Sequence, residues 1–440
     1  MFQIQNPIPR IVEDPKDLRE TIAGLKLVPY LGTTSASSHS YLKLFYDLYA
    51  LSPSFSSVVE DKSTFAFGGE IDIVDRIMPG VLKDRIPISE ADRDVFITAI
   101  DDIGISPVDI LEGTCDLFRN EEISGNCYLK VSGVFLGDRW KFSADVLDPL
   151  QVLYLADDST SRTVVHAFGE LTRKGLTDSG YELLRVFPYV KQSKSLIETV
   201  FHWKTQKKKW YGLPRGLSTL YWQFIEYSIA NLNLKISQSE FTTAMILAFE
   251  GADPKTRGPK KPDDEEGPYS RLQKTAQVLK KIMTNEGNPN SPNYDPSRTT
   301  GEASSMAVVE YPQGGKPPEA IPIRINRDYG YYMAMLNKAS DYIYSMNSWS
   351  KELSGMVQTG AGIGSNILMD LFQIKDEAVI RPLQDRFSFR WQQVFDWIAE
   401  VTQNEQLKQR SIVYSSKLDK LIKKFNASKN NQQAPRGDNL

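Results

Sequence analysis

Apolar residues spaced by three and four set the first pattern along the chain. In YLKLFYDLYALSP, Tyr41, Leu44, Phe45, Leu48 and Leu51 keep that spacing and predict an amphipathic helix ended near Pro53. Residues 1–30 before it are extended and proline-punctuated, and read as an arm or an edge segment. VVEDKSTFAFGGEIDIV reads as a helix end, a strand and a glycine turn, and KDRIPISEADRD as a polar linker to a helix at VDILEGTCDLFRN. The period then changes to two. Cys127, Leu129 and Val131 alternate with Tyr128, Lys130 and Ser132, and Gly137-Asp138 supplies a turn, which predicts a β-hairpin or a small meander. TVVHAF and IETVFHWK are further strands, so the chain to residue 205 reads as an α+β domain.

Helical spacing returns after QKKKWYGLPRGLS. Leu217, Leu220, Tyr221, Phe224, Ile225, Ile229, Leu232 and Ile236 predict a helix of roughly 28–30 Å at 1.5 Å per residue. TTAMILAFEG reads as a strand, and with RLQKTAQVLKKIM and SMAVVEYP, set off by breaker-rich loops, it makes a strand–helix–strand island. A second long helix starts after Asp328, a good N-cap, with Tyr329, Tyr332, Met333, Leu336, Ile343 and Met346 on its apolar side. It runs to the glycine-rich loop SGMVQTGAGIGSN. Leu383, Phe387, Trp391, Val394, Ile398 and Val401 define a third, with Pro382 at its start or kinking it. EQLKQRSIVYSSKLDKLIKKF reads as a basic amphipathic helix, and the polar NASKNNQQAPRGDNL as a disordered tail.

Composition narrows the function classes. A chain of 440 residues requires two or more packed regions. Its formal net charge of -3 argues against whole-chain clamping of DNA, because phosphate neutralisation supplies most of such affinity. Cys115 and Cys127 are expected as free thiols in an intracellular setting, with a disulfide between them the alternative, and His39, His166 and His202 have no zinc-ligand spacing. No signal pattern begins the sequence and no apolar run reaches the ~20 residues that span a bilayer, so a soluble cytoplasmic chain without membrane contact is expected.

Candidate chemistry is sparse. GAGIGS at 360–365 has a helix before it and its third glycine at the wrong spacing for a dinucleotide loop, and no GxxxxGK[ST] occurs. The acid pairs Asp72/Asp75, Asp92/Asp94 and Asp101/Asp102 could hold cations in a metal-dependent nuclease, or be solvated faces. No nucleophile elbow supports a Ser/His/Asp arrangement. No catalytic residue, metal or cofactor is therefore expected. Lys207–Lys209, and Lys255, Arg257, Lys260 and Lys261, read either as solvated loops or as partner contacts. Trp210 and Tyr211 either stack on bases or fill a domain junction as a hydrophobic staple.

The order of the segments says more than any one of them. LSPSFSSVVEDKSTFAFGGEI, EEISGNCYLKV, KKKWYGLPRGLSTLYWQFIEYSIANLNL, MILAFEG and NILMDLFQIKDEAVIRPLQDRF follow one another as in portal proteins of tailed double-stranded DNA bacteriophages, which the chain resembles over nearly its whole length. The resemblance implies an α+β portal-type fold with an α/β wing, long stem helices, a small strand–helix–strand clip and a short helical crown. It divides the chain into a wing at 1–213 with its arm at 1–30, a stem helix at 214–238, a clip at 239–325 and a second stem helix at 326–353. A tunnel loop at 354–367, a wing-closing helix at 368–402, and a crown and tail at 403–440 complete it.

The same resemblance implies a dodecameric ring at one capsid vertex that conducts double-stranded DNA during packaging and ejection. Its partners would be the terminase large subunit, the major capsid and scaffold proteins and a head–tail adaptor. The location would be the virion, and the host cytoplasm during assembly. Gln358, Thr359, Gly360, Gly362 and Gly364 would form the tunnel loop, and Lys255, Arg257, Lys260 and Lys261 would meet clip partners. Tyr211, Gly212 and Pro214 would be the wing–stem hinge. Lys338 and Lys351 are either channel-facing charges or surface lysines at a subunit rim. A near-neutral chain suits a conduit, since every phosphate gripped slows sliding. The rival readings are another virion ring component, such as a head–tail connector, and a metal-dependent nucleic-acid enzyme built on the acid pairs.

Overall fold

A computed structural model of the chain describes residues 20–22, 25–28, 30, 40–76, 88–155, 163–169, 180–205, 210–238, 245–250, 306–311, 329–354 and 365–416. The chain divides into two units, one of residues 1–224 with 338–440 and one of residues 225–337. In the first, strands β1 (Glu20–Ile22) and β2 (Leu25–Val28) precede helices α1 (Ser40–Leu51) and α2 (Pro53–Phe67). Ser52 ends one helix and starts the next. It stands at the N-cap of α2 with Pro53 in the first turn, where a missing N–H costs nothing. The buried side of α1 is Leu42, Phe45 and Leu48, with Leu51 exposed, so its inward face is rotated from the expected one.

Helix α2 runs through STFAF to Phe67, so the helix end, the glycine turn and the strand of this segment come in that order. Its inner face is Phe55, Val58, Val59, Lys62, Ser63, Ala66 and Phe67, and two polar residues inside that stripe hide the helical period. Strand β3 (Ile71–Asp75) follows the Gly68-Gly69 turn. The expected polar linker is also corrected: EADRD opens α3 (Glu90–Ile103), capped by Ser89. Only its second half, Phe96, Ala99, Ile100 and Ile103, is buried, so its first half carries no apolar signal. A capping box at Ser106 and Asp109 starts α4 (Pro107–Ser124).

The hairpin forms as expected. β4 (Asn126–Leu136) pairs antiparallel with β5 (Arg139–Leu147), Leu136 opposite Arg139 across the Gly137-Asp138 turn. With β9 (Lys191–Gln192) and β10 (Leu196–Lys204) they form a four-stranded sheet ordered β5-β4-β10-β9. A second sheet is ordered β1-β2-β6-β7-β8, with β6 (Val152–Leu155), β7 (Thr163–Ala167) and β8 (Tyr181–Arg185).

A 3-10 turn at Arg215–Thr219 leads into α5 (Leu220–Gln238), which continues from the first unit into the second. In the second unit, β11 (Met245–Glu250) and β12 (Met306–Tyr311) pair in parallel, Met245 opposite Met306. A parallel pair requires a crossover between its strands. The helix expected in that crossover, at 271–283, lies outside the described residues.

Helix α6 (Tyr329–Met346) returns to the first unit, where Tyr342 stacks on Trp222 of α5 at 4.3 Å between ring centroids. The expected extension to residue 353 is corrected. The backbone turns at Ser348, whose φ is +56, and sends Trp349 and Leu353 into the core beside Phe65. Helix α7 (Ser365–Lys375), one π turn at Asp376–Ile380 and α8 (Arg381–Thr402) then form one continuous helical run. The wider π turn ends at Ile380, two residues before Pro382, which has no N–H to give.

Helix α8 forms the floor of the core. Leu383, Phe387, Trp391, Val394 and Ile398 are buried as their spacing predicts. Phe387 and Tyr414 stand edge-on to Phe67, at 5.1 and 5.0 Å between centroids. Thr114 satisfies two large neighbours: Trp391 Nε1 donates to its hydroxyl at 2.8 Å, and Tyr414 Oη lies 2.8 Å away. Tyr414 belongs to β13 (Arg410–Tyr414), antiparallel to β3, which corrects the expected crown helix over 405–416. That segment is a 3-10 turn at Glu405–Lys408 followed by a strand. Ile412, Val413 and Tyr414 are consecutive β-formers, and pairing with a strand 335 residues earlier outweighs the basic helical pattern around them.

Candidate functional site

Helix α4, strands β4 and β10 and the 210–214 turn meet at a buried, densely hydrogen-bonded polar junction in the first unit. Helix α4 ends at Gly125, whose φ of +75 turns the chain into β4. A Cβ there would stand 2.3 Å from the Leu213 carbonyl carbon. Opposite, a Cβ on Gly212 would stand 2.1 Å from the Gly125 carbonyl oxygen. Two backbones 87 residues apart in sequence thus touch without side chains between them, which only glycine permits.

Asn126 locks the contact. Its Oδ1 accepts from the Gly212 N–H at 2.6 Å, and its Nδ2 donates to the Ser124 carbonyl at 2.9 Å. The Gly212 donor fixes the amide orientation, so His202 Nε2, 3.1 Å from the same Oδ1, carries a proton. His202 Nδ1 is then the acceptor for the Tyr154 hydroxyl at 2.5 Å, and the imidazole stacks on Tyr128 at 4.4 Å between centroids. Thr205 completes the seam, its N–H on the Gly125 carbonyl and its hydroxyl on that of Leu213.

Tyr211 anchors the turn to the five-stranded sheet. Its hydroxyl donates to the Val28 carbonyl at 2.8 Å and accepts from the Tyr154 N–H at 2.9 Å, bridging β2 and β6. Burial pushes the phenol pKa far above its ordinary value. Tyr211→Phe leaves a buried carbonyl and a buried N–H without that partner. It is expected to cost about 1–3 kcal/mol, read as a lower urea midpoint at unchanged slope.

No family model matches the sequence, and no curated protein matches it. Solved structures that it is similar to include particle components and a phage portal. One, from the virion of the native gene transfer agent particle, has 12% identity and a TM-score of 0.43, and the match covers 90% of this chain and 89% of that one. A second, from the neck of the empty gene transfer agent particle, has 12% identity and a TM-score of 0.41, covering 90% of each. A third, the crystal structure of an HK97 family phage portal protein from Corynebacterium diphtheriae, has 9% identity and a TM-score of 0.38, covering 86% of this chain and 96% of that one.

The fate of the sequence candidates is uneven. Tyr211, Gly212 and Pro214 are buried at the junction just described. Lys338 is exposed on α6, and Lys351 lies 2.6 Å from Asp341. Gln358, Thr359, Gly360, Gly362 and Gly364 lie outside the described residues, as do Lys255, Arg257, Lys260, Lys261 and Lys207–Lys209. Among the acids, Asp72 accepts from the Ile73 N–H, while Asp75 and Asp92 both pair with Arg410. Among the described residues no group of three or more His, Cys, Asp or Glu could hold a metal ion, and no helix is long and apolar enough to cross a membrane. Cys115 and Cys127 are free thiols. His166 pairs with Glu182 at 2.8 Å.

Sequence reasoning misses a chain of charges beneath the junction. Arg390 grips Glu121 with two hydrogen bonds of 2.7 and 2.9 Å, and both side chains are buried. Lys62 and Arg215 flank Glu122 at 3.4 and 3.1 Å. The available signal was charge at helix-core spacing: Lys62 three residues after Val59, and Arg390 three after Phe387.

Proposed function

We propose that the chain is a phage portal protein, a non-enzymatic ring at one capsid vertex. It would conduct double-stranded DNA inward during packaging and outward at ejection. The observation that carries this reading is the junction. EEISGNCYLKV and KKKWYGLPRGLS are two of the segments on which the resemblance rests, and Asn126 of one hydrogen-bonds Gly212 of the other. Elements that look unrelated along the chain are thus parts of one elbow, from which α5 departs. In this reading 1–213 is the wing, α5 and α6 the stem, and 239–325 a clip docking the terminase large subunit and later a head–tail adaptor. The glycine loop at 354–367 lines the channel.

Mass measurement of the purified chain, with imaging of the particles, tests the proposal. Closed rings of about a dozen copies are expected; a monomer or dimer under every assembly condition overturns it. Deleting 358–364 is expected to leave rings intact while impairing genome packaging or retention. Normal genome filling after that deletion overturns the role given to the loop.

A further inference from the structure

A cleft of about 340 Å³ opens within the first unit, lined by Lys62, Arg215, Asn347, Ser348, Leu383 and Arg386 among others. Its charges do not balance. Lys62, Arg215, Arg386 and Arg390 form one cluster with only Glu121 and Glu122, so four cations face two carboxylates. Arg390 is fully engaged with Glu121. Arg386 is not: its Nη2 lies 3.5 Å from Glu121 without hydrogen-bond geometry, and its Nε and Nη2 are buried with no hydrogen-bond partner. Asp376 on the π turn pairs with Arg381 through Oδ2 at 2.9 Å, while its Oδ1 and Glu122 Oε1 are buried acceptors without a hydrogen bond. Lys375 donates to the Ser348 carbonyl at 2.9 Å and has the Glu352 carboxylate acting on it, so it adds nothing to the imbalance.

Burial, with neighbouring cations second, disfavours the charge on two members of the cluster. Burial pushes the Arg386 guanidinium down from its ordinary value, with Arg390 and Arg215 adding to the fall against the pull of Glu121. Burial likewise lowers the Lys62 ammonium, Arg215 and Arg386 working in the same direction against Glu122. An anion in the cleft would supply what these donors lack, at charge-assisted hydrogen-bond strength.

We propose that this cleft binds a small free oxyanion of the phosphate class, held by Lys62, Arg215 and Arg386. An excess of two positive charges suits a dianion, and the planar guanidinium donors match the tetrahedral oxygens. Lys62 is recessed, with a side-chain exposure of 3%, so a small ion reaches it and a rigid duplex backbone does not. The anion would tie α2, the 215–219 turn and α8 together directly below the elbow. This inference does not depend on the portal reading.

Isothermal titration of the intact chain with inorganic phosphate, at ionic strength held constant with chloride, tests it. One site per chain is expected. Arg215→Gln and Arg386→Gln are each expected to weaken binding at least about tenfold, and Arg93→Gln, on the exposed side of α3, to leave it unchanged. Circular dichroism checks folding; should Arg386→Gln not fold, Arg215→Gln, a half-exposed position, carries the test alone. Absence of saturable binding, or equal affinity in Arg215→Gln, overturns the proposal. Acetate binding as tightly as phosphate overturns the assignment to phosphate, and competition by duplex DNA overturns the assignment to a free ion.

Discussion

Gly212→Ala and Gly125→Ala are each expected to destabilise the protein by about 3 kcal/mol or more, since the added methyl group meets backbone that no side-chain rotation can clear. At Gly125 the left-handed backbone adds a further penalty of about 1–2 kcal/mol. Thermal melting should register each as a fall of about 3–4 °C or more. Gly137→Ala supplies the control. Its φ is +67, in the same region as Gly125, but nothing lies within 4 Å of the added methyl. It should therefore show only the conformational part, about 1–2 kcal/mol. Equal losses at 125 and 137 would show that the close approach to residues 212–213 contributes nothing.

Arg390→Ala is expected to cost about 3–5 kcal/mol, because it leaves the Glu121 carboxylate buried without its principal partner. Replacing both, as Glu121→Leu with Arg390→Met, should recover much of the loss by removing the stranded charge. The pair also sets an acid limit. Burial alone raises the Glu121 pKa, but Arg390, with Arg386 and Arg215 behind it, outweighs burial and holds it below the ordinary carboxylate value. A carboxylate lowered in the folded state stabilises that state above its unfolded pKa, and the contribution fades as pH falls through the folded value. Wild-type stability should therefore decline below about pH 4, and the double variant should decline less over the same range. Parallel acid profiles for the two chains would remove Glu121 from the explanation.

Much of the fold is legible in the sequence wherever one face of one element carries the whole pattern. The third long helix is so because Leu383, Phe387, Trp391, Val394 and Ile398 all point into one core. The hairpin is legible because its turn and its alternation agree. Helix α2 is not, since buried Lys62 and Ser63 interrupt its apolar stripe for reasons lying on α4, at Glu122 and beyond. Strand β13 is invisible for a related reason: its partner β3 is remote in sequence, and its basic flanks suggest a helix. The junction was half legible. Tyr211, Gly212 and Pro214 stand out as a turn before a helix, but Asn126 as their lock follows only from the folded register of β4 beside β10.

The pairing of β13 with β3 has a consequence for biosynthesis. Arg410 closes on Asp75 across 335 intervening positions. At about 5–20 residues per second, the ribosome takes roughly 15–70 s to supply the closing strand after the first has emerged. For that interval the faces of α2 and α4 that will receive Phe387, Trp391 and Tyr414 stand open on a nascent chain. Slower, cooler expression and chaperone supply should therefore govern the soluble yield of this protein more than any substitution on its finished surface.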